Sequence, residues 1–514
     1  MNYLKSSQNW KAGIKTNEWY IQAGRCGLFV MVVIFSSLVA IGGVAQAAVF
    51  NPVNVTELIT AINTANSTGV PDLINLTEGG TYTLSNVNNI DSIGDSHGLP
   101  FITSPITVEG NGATIERDSA APAFRFFHVA ATGQLTLRDV TLRNGYARLG
   151  GAVFNYGGIL HIVGSTVSGN TAYNHGGGIR DFNGMLILTN STVSGNTAIQ
   201  TGGGIYPNSS TVTITNSTVS GNTAGPSNPG GGIYNYDSTL RITNSSVSGN
   251  TAGSYGGGIY FWESYPYDTE VTITNSTVTG NTSGSYGGGI YLFRTVALSN
   301  SLVANSFGGN NCYLYPGANI VDHGNNLADD SSCGTIPGTL TGLDPNLADN
   351  GGPTETHALL TGSNAIDAGD DTVCAAAPVN GVDQRGVARP VGAHCDIGAF
   401  EFELTSVCGN GTLEYPEECD DGNVTDGDGC SSTCLSEAAQ DENVNIAILD
   451  NGDGTFGYTF TDEAGVPVIE IDGNTGLIDL TNMSFTLLTQ ANGTVIDISG
   501  LTLTDSKKSI SVLN

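Results

Sequence analysis

Between Gly150 and Asn300, apolar residues alternate with serine and threonine in short bursts and never take up helical spacing. Val212 and Ile214 are separated by Thr211, Thr213 and Thr215, a period of two that predicts a half-buried strand. Asn216-Ser217 reads as a turn, Thr218-Val219-Ser220 as a second strand, and Gly221-Asn222 as a second turn. After a variable stretch, Gly230-Gly231-Gly232-Ile233-Tyr234 supplies a third strand. The same succession recurs along the chain. Gly164-Ser165-Thr166-Val167-Ser168-Gly169-Asn170-Thr171 is followed by copies beginning at Asn190, Asn216, Asn244 and Asn275. Their valines (167, 193, 219, 247 and 278) are 26, 26, 28 and 31 residues apart. Gly-Gly-Gly-Ile alternates with this phrase and sets Ile179, Ile205, Ile233, Ile259 and Ile290 in register, with Val153 a weaker first copy. A repeat of this length predicts a solenoid, in which each coil buries its apolar face only by stacking on its neighbours.

No repeat holds ten residues of helical periodicity, which excludes leucine-rich and helical repeats. Three short strands per coil give an all-β chain, a parallel β-helix with strands about 4.8 Å apart along its axis. Val167, Val193, Val219, Val247 and Val278 should form one buried column. Asn190, Asn216, Asn244 and Asn275 should form a second, with side-chain amides bonded up and down the stack. Their Asn-Ser-Thr/Ser triplets also match a glycosylation sequon, a weaker reading at a repeated corner. Ahead of the repeats, residues 54–66 place apolar side chains at 55, 58, 59, 62 and 65. This predicts a short amphipathic helix, N-capped by Asn54 or Thr56, covering the open end of the solenoid.

Composition adds a compartment. Residues 1–47 read as a secretory signal: Lys5, Lys11, Lys15 and Arg25, then the apolar run 28–35, then Ala45-Gln46-Ala47. No later segment is apolar and long enough to span a membrane, so the mature chain is expected outside the cell or at its surface. Eight cysteines lie beyond the signal, an even number that suits disulfides in an exported protein. Proximity pairs Cys312 with Cys333 and Cys374 with Cys395, and leaves the pairing of Cys408, Cys419, Cys430 and Cys434 open. The net charge is −31; from Glu403 onward 20 acidic residues face Lys507 and Lys508 alone, so 18 of the 31 lie there. Such a polyanion is a poor partner for nucleic acid or anionic lipid, and for anionic polysaccharide unless calcium bridges the two.

Two resemblances extend this reading. Asp72-Leu73-Ile74-Asn75-Leu76, Gly98-Leu99-Pro100-Phe101-Ile102 and Thr107–Ile115 are followed by Asn350-Gly351-Gly352-Pro353-Thr354, Ala365-Ile366-Asp367-Ala368-Gly369, Asp383-Gln384-Arg385-Gly386 and Asp396-Ile397-Gly398-Ala399-Phe400-Glu401. From Val55 to Glu401 the chain resembles the choice-of-anchor Q family of exported, right-handed parallel β-helix proteins, a likeness that implies fold and export but no biochemical activity. The tail lacks a Leu-Pro-x-Thr-Gly sorting motif and a terminal apolar helix, which leaves its attachment undefined. Residues 408–434 (Cys408-Gly409-Asn410-Gly411, Glu417-Glu418-Cys419-Asp420-Asp421-Gly422-Asn423, Asp426-Gly427-Asp428-Gly429-Cys430, Cys434) resemble the myxobacterial-type cysteine-rich repeat, itself similar to calcium-binding Notch-type repeats. Asp420, Asp421, Asn423, Asp426 and Asp428 are oxygen ligands on one tight loop, which suits calcium. The plainer alternative is an acidic turn held by disulfides.

The resulting plan is a signal over 1–47, a β-helix with its cap over 48–305, and its C-terminal part with closing motifs over 306–402. A cysteine-rich acidic motif over 403–436 and a small β-rich module over 437–514 follow. The expected function is a non-enzymatic display scaffold for adhesion or glycan binding, with a polysaccharide lyase or glycoside hydrolase on a pectate-lyase-like fold as the alternative. Trp262, Tyr265 and Tyr267, in an insertion, are the expected ligand patch; Tyr206, Tyr234, Tyr260 and Tyr291 suit an aromatic stack inside the coil. Asp181 and Asp237 come from different coils and read as solvated surface. The cluster Asp367, Asp370, Asp371, Asp383, Arg385, Arg389, His394 and Asp396 reads as salt-bridged closing turns ahead of a catalytic set. His97, His128, His161, His175 and His323 are scattered without metal spacing and read as coil or loop residues. No catalytic residue is assigned, and nothing fixes substrate or oligomeric state.

Overall fold

The computed structural model describes residues 46–264, 269–334 and 336–403, Cys419, Asn423, Thr425, Cys430 and Ser431, and strands within 444–512. It is a parallel β-solenoid. Strand alternation sends Val167, Val193, Val219, Val247 and Val278 inward in one column, each at most 1 % exposed and paired in register with the next. Ile179, Ile205, Ile233, Ile259 and Ile290 form a second inward column. Leu160, Leu186, Val212, Leu240 and Val271 line a third wall of the same core. Each middle coil carries one strand more than the sequence pattern predicts: Thr197–Ala198, Thr223–Pro226 and Thr251–Gly253 belong to a six-stranded sheet between the Gly-Asn turn and Gly-Gly-Gly. At two to four residues, these strands are too short to show an alternation in sequence.

The Gly-Gly-Gly phrase answers three separate crowding problems. Gly230 has φ +74°, and a Cβ there would sit 2.6 Å from Cβ of Tyr234. At Gly231 an added Cβ would strike the carbonyl oxygen of Gly257, one coil up, and at Gly232 the Asn250 side chain at 2.9 Å. Any side chain would push coils apart.

The asparagine ladder exists, but at the other asparagine of the repeat. Asn190, Asn216, Asn244 and Asn275 hold left-handed corners with φ between 45° and 50°, and the Oδ1 of each is buried without a partner. Their shared role is conformational, since asparagine tolerates this region better than other side chains with a Cβ, and Asn244 and Asn275 also donate outward to Val382 and Cys374. The stack is built by Asn170, Asn196, Asn222, Asn250 and Asn281 of the Gly-Asn turn, all fully buried. The Nδ2 of each of the first four donates to the Oδ1 one coil on, at 2.9, 3.0, 2.9 and 3.0 Å. Beside it, the backbone N–H groups of Ser165, Ser191, Ser217 and Ser245 donate to the next serine hydroxyl at 3.1–3.2 Å.

Helix α1 (Val55–Thr68) is capped by Asn54, whose Oδ1 accepts from the Glu57 N–H at 3.0 Å, and ends at Gly69 in the left-handed region. Leu58, Ala61, Ile62 and Ala65 face the core and close its first coil. At the other end, residues 354–400 return along the outside of the solenoid as a strap. Thr218 donates to the Glu355 carbonyl, Asn244 to Val382 and Ser246 to Gln384, while Ala399 donates to Thr277. The outer positions Thr218, Ser220, Ser246, Ser248, Thr277 and Thr279 are therefore buried, whereas Thr166, Ser168, Thr192 and Ser194 of the earlier coils are only half-buried. Disulfides Cys312–Cys333 and Cys374–Cys395 form as proximity suggests, and Cys419 pairs with Cys430. The strands Val444–Asp450, Phe456–Thr461, Pro467–Ile471 and Ile510–Val512 make a four-stranded sheet.

Candidate ligand-contact face and buried polar clusters

The tyrosines after Gly-Gly-Gly-Ile do stack, but outside the coil. Since Ile205, Ile233, Ile259 and Ile290 point into the core, the residues that follow must point out. Tyr206, Tyr234, Tyr260, Tyr291 and Tyr313 form one column with ring centroids 4.7, 4.9, 5.0 and 4.9 Å apart. Arg180 continues the column, its guanidinium 4.1 Å from the Tyr206 ring centre. Burial among neighbouring rings pushes the phenols of Tyr206, Tyr234, Tyr260 and Tyr291 up, Tyr291 to about 12, so these four hydroxyls stay neutral.

A second outward column begins two residues further along each strand. It holds Tyr156 stacked on Phe182 at 5.6 Å, then Asn208 and Tyr236, then Trp262, Phe293 and Tyr315 at 4.1 and 4.2 Å. Trp262 is half-buried against Phe293; Tyr315 and Tyr156 are 41 % and 48 % exposed. Tyr265 and Tyr267 lie outside the described residues, but the stem of their insertion is clamped. Asp237 accepts from both Ser264 N–H and hydroxyl, and Glu263 from both Thr269 N–H and hydroxyl. Sequence alone did not reveal this face, because Phe293 and Tyr315 sit outside the repeated phrase; coil register supplies them.

The acids expected at the surface are inside. Asp237 is 6 % exposed and serves the clamp. Asp181 is fully buried and points into the solenoid at the level held by Asn155 one coil earlier and Asn235 two coils later. Its Oδ1 accepts from Asn155 Nδ2 at 2.6 Å, its Oδ2 has no partner, and burial raises its pKa to about 7. Asp181 faces inward because it lies two residues after inward Ile179 on one strand, and Asp237 is covered by the insertion stem it holds; counting charges shows neither.

The closing cluster is largely a set of salt-bridged turns. Asp383 takes the Arg385 Nε at 2.8 Å together with the N–H groups of Arg385, Val387 and Glu401. Arg389 donates to the carbonyls of Asp396 and Gly398 at 2.7 and 2.8 Å and lies 3.6 Å from Glu401. Burial raises Asp396 to about 6 and Glu401 to about 7. Asp370 caps the short helix α2 (Asp371–Ala375), Asp367 accepts from the His394 N–H, and Asp371 pairs with exposed His394 at 2.9 Å. Each acid already serves the chain, and Asp383 is sealed from solvent.

One histidine reading is overturned. His97 and His128, 31 residues apart, lie one coil apart and converge on Asp91. Asp91 Oδ2 is 3.3 Å from His97 Nε2 and 3.9 Å from His128 Nδ1. Burial, reinforced by neighbouring Arg125, lowers His97 to about 2 and His128 to about 4, so both are neutral imidazoles near pH 7. Of the calcium-loop residues, Asn423 alone is described, its Oδ1 accepting from Thr425 N–H at 2.7 Å; Asp420, Asp421, Asp426 and Asp428 lie outside the described residues.

The model of a right-handed β-helix region matches residues 125–307, the segment that holds the asparagine ladder and both aromatic columns except Tyr313 and Tyr315. Fold and match together define a parallel β-helix protein, a class that includes pectate-lyase-like proteins as well as surface scaffolds. A search of curated proteins finds no match. No helix among the described residues is long and apolar enough to cross a membrane.

Proposed function

We propose that this chain is an exported, non-enzymatic β-helix scaffold of the choice-of-anchor Q type whose outer aromatic face contacts glycan. The observation that carries this reading is the pair of aromatic columns on one face, ending in the partly open Trp262–Phe293–Tyr315 run beside a clamped insertion. Ring edges and neutral hydroxyls at fixed spacing suit a chain of uncharged sugars, which meets no repulsion from the acidic protein. The disulfides fit an oxidising compartment. Glycoside hydrolysis needs two carboxylates flanking one bond in an accessible cleft, and the buried placement of Asp181, Asp237 and Asp383 favours the scaffold over that alternative.

Polysaccharide arrays probed with the full chain test the reading. A neutral glycan should bind, and Trp262→Ala should weaken it by about tenfold or more, the loss of roughly 1.4 kcal/mol at a contact centre. New reducing ends or unsaturated uronides released from any polysaccharide, or loss-free binding by Trp262→Ala, would refute it. Calcium is a separate proposal for Asp420, Asp421, Asn423, Asp426 and Asp428. Calorimetry on the full chain should show a calcium site lost in Asp426→Asn, Asp428→Asn and absent after reduction of the disulfides. Identical heats from both proteins would leave an acidic disulfide-held turn.

A further inference from the structure

We propose that Asp91, His97 and His128 form a binding site for one borderline divalent transition-metal ion, zinc or a close substitute, at the N-terminal end of the solenoid. The argument starts from spacing. Ions of this kind bind histidine nitrogen and carboxylate oxygen at about 2.0–2.2 Å, which sets ligand atoms in a tetrahedral shell about 3.3–3.5 Å apart. Asp91 Oδ2, His97 Nε2 and His128 Nδ1 lie 3.3 and 3.9 Å apart across the carboxylate, and all three fall within 4.8 Å of one another. Small rotations of the two rings would bring them onto one ion.

The free lone pairs agree with that assignment. His128 Nδ1 is buried and has no hydrogen-bond partner, while its ring faces the carboxylate. Asp91 uses Oδ1 for the N–H groups of Ile93 and Asp95, at 3.1 and 2.8 Å, which fixes the loop and turns Oδ2 toward His97 Nε2, its hydrogen-bond partner at 3.3 Å. His97 is held by its surroundings, its ring 4.9 Å from both Phe101 and His128. Side-chain exposures of 12 % for His128 and 8 % for Asp91 leave a narrow approach from outside.

Arg125 is the competing cation. Its Nη1 lies 3.6 Å from Asp91 Oδ2 and within hydrogen-bond reach, 3.4 Å, of each ring nitrogen of His97, contacts that a bound ion would have to displace. Its Nη2 pairs with Asp95, which also accepts from Arg148 Nε at 2.8 Å, and its Nε donates to the Leu149 carbonyl. Nε and Nη2 of Arg125 are thus satisfied elsewhere, while Nη1 has only Asp91 and His97 beside it and would stay next to the bound carboxylate. With Arg125 and Asp95 offsetting each other, an ion on Asp91 keeps a positive excess. Its open position therefore favours an anionic fourth ligand, hydroxide or a small carboxylate.

Cobalt reports the site through its visible absorption, which the acidic tail and other oxygen-only ions do not mimic in intensity. Full-length protein stripped with chelator should take up one equivalent of Co²⁺ with the intense band of a four- or five-coordinate nitrogen-oxygen site, and Zn²⁺ should displace it. His128→Ala and Asp91→Asn should each lose that band while melting near the wild-type temperature in metal-free buffer. If either variant fails to fold, wild type decides alone: the band should appear at stoichiometric Co²⁺ and the melting temperature should rise with added Zn²⁺. No band in the wild type, or a band retained in both variants, would overturn the proposal and leave an arginine-centred ion-pair cluster.

Discussion

Asn222→Ala is expected to destabilise the solenoid by about 3–5 kcal/mol, because one side chain satisfies groups on both neighbouring coils. Its Nδ2 donates to the Val193 carbonyl and to Asn250 Oδ1, and its Oδ1 accepts both the backbone N–H and the side-chain Nδ2 of Asn196. All of these atoms belong to a buried stack, so no water replaces what alanine removes. The control is Asn216→Ala in the same coil. That residue has an unpaired Oδ1 and a left-handed backbone at φ 49°, so alanine there should cost only the conformational strain, about 1–2 kcal/mol. Chemical unfolding of the two variants separates them. Equal losses would mean that the ladder carries no more than the corner does.

Asp181→Asn should stabilise the protein at pH 8 by about 4 kcal/mol and change little below pH 4. Burial raises the folded pKa of Asp181 from 3.8 to about 7. Between those values the unfolded chain has released its proton and the folded chain has not, so stability falls as pH rises across the window and stays low above it. Roughly three units at 1.36 kcal/mol each set the size. Asparagine keeps the acceptor for Asn155 Nδ2, removes the titration, and matches the residues already present at 155 and 235. Asp396 and Glu401 titrate in a similar range, so the difference between variant and wild type isolates this site. A constant offset at all pH values would show that Asp181 is not protonated in the fold.

These two predictions mark where the sequence was readable and where it was not. The valine and isoleucine columns follow from a period that carries one inward side chain per strand, and the structure keeps that register. The ladder was misplaced because two asparagines recur per repeat and both recur equally well. What separates them is backbone φ, since a left-handed corner turns Asn216 away from its neighbour while Asn222 reaches along the axis. The repeated tyrosines suit an aromatic stack inside the coil, yet each follows an inward isoleucine, and adjacency on a strand means opposite faces. Asp91, His97 and His128 had no visible spacing because their proximity comes from the pitch of a coil. The strap left no repeat to detect, and its contacts reach back over 70 to 166 residues.

That strap also limits how this solenoid could grow. Coil number in a repeat protein changes readily by duplicating or deleting one unit, because each unit meets only its neighbours. Over residues 146–200 this freedom remains. Between Asn216 and Asn300, the strap meets successive coils at Thr354, Val382, Ala399 and Asp370, a pattern cut to one number of coils. Inserting a coil there would slide the serine and threonine hydroxyls about 4.8 Å past their partners. Length variation among descendants of this chain would therefore collect in the earlier coils, while the later ones keep a fixed count set by the strap as a ruler.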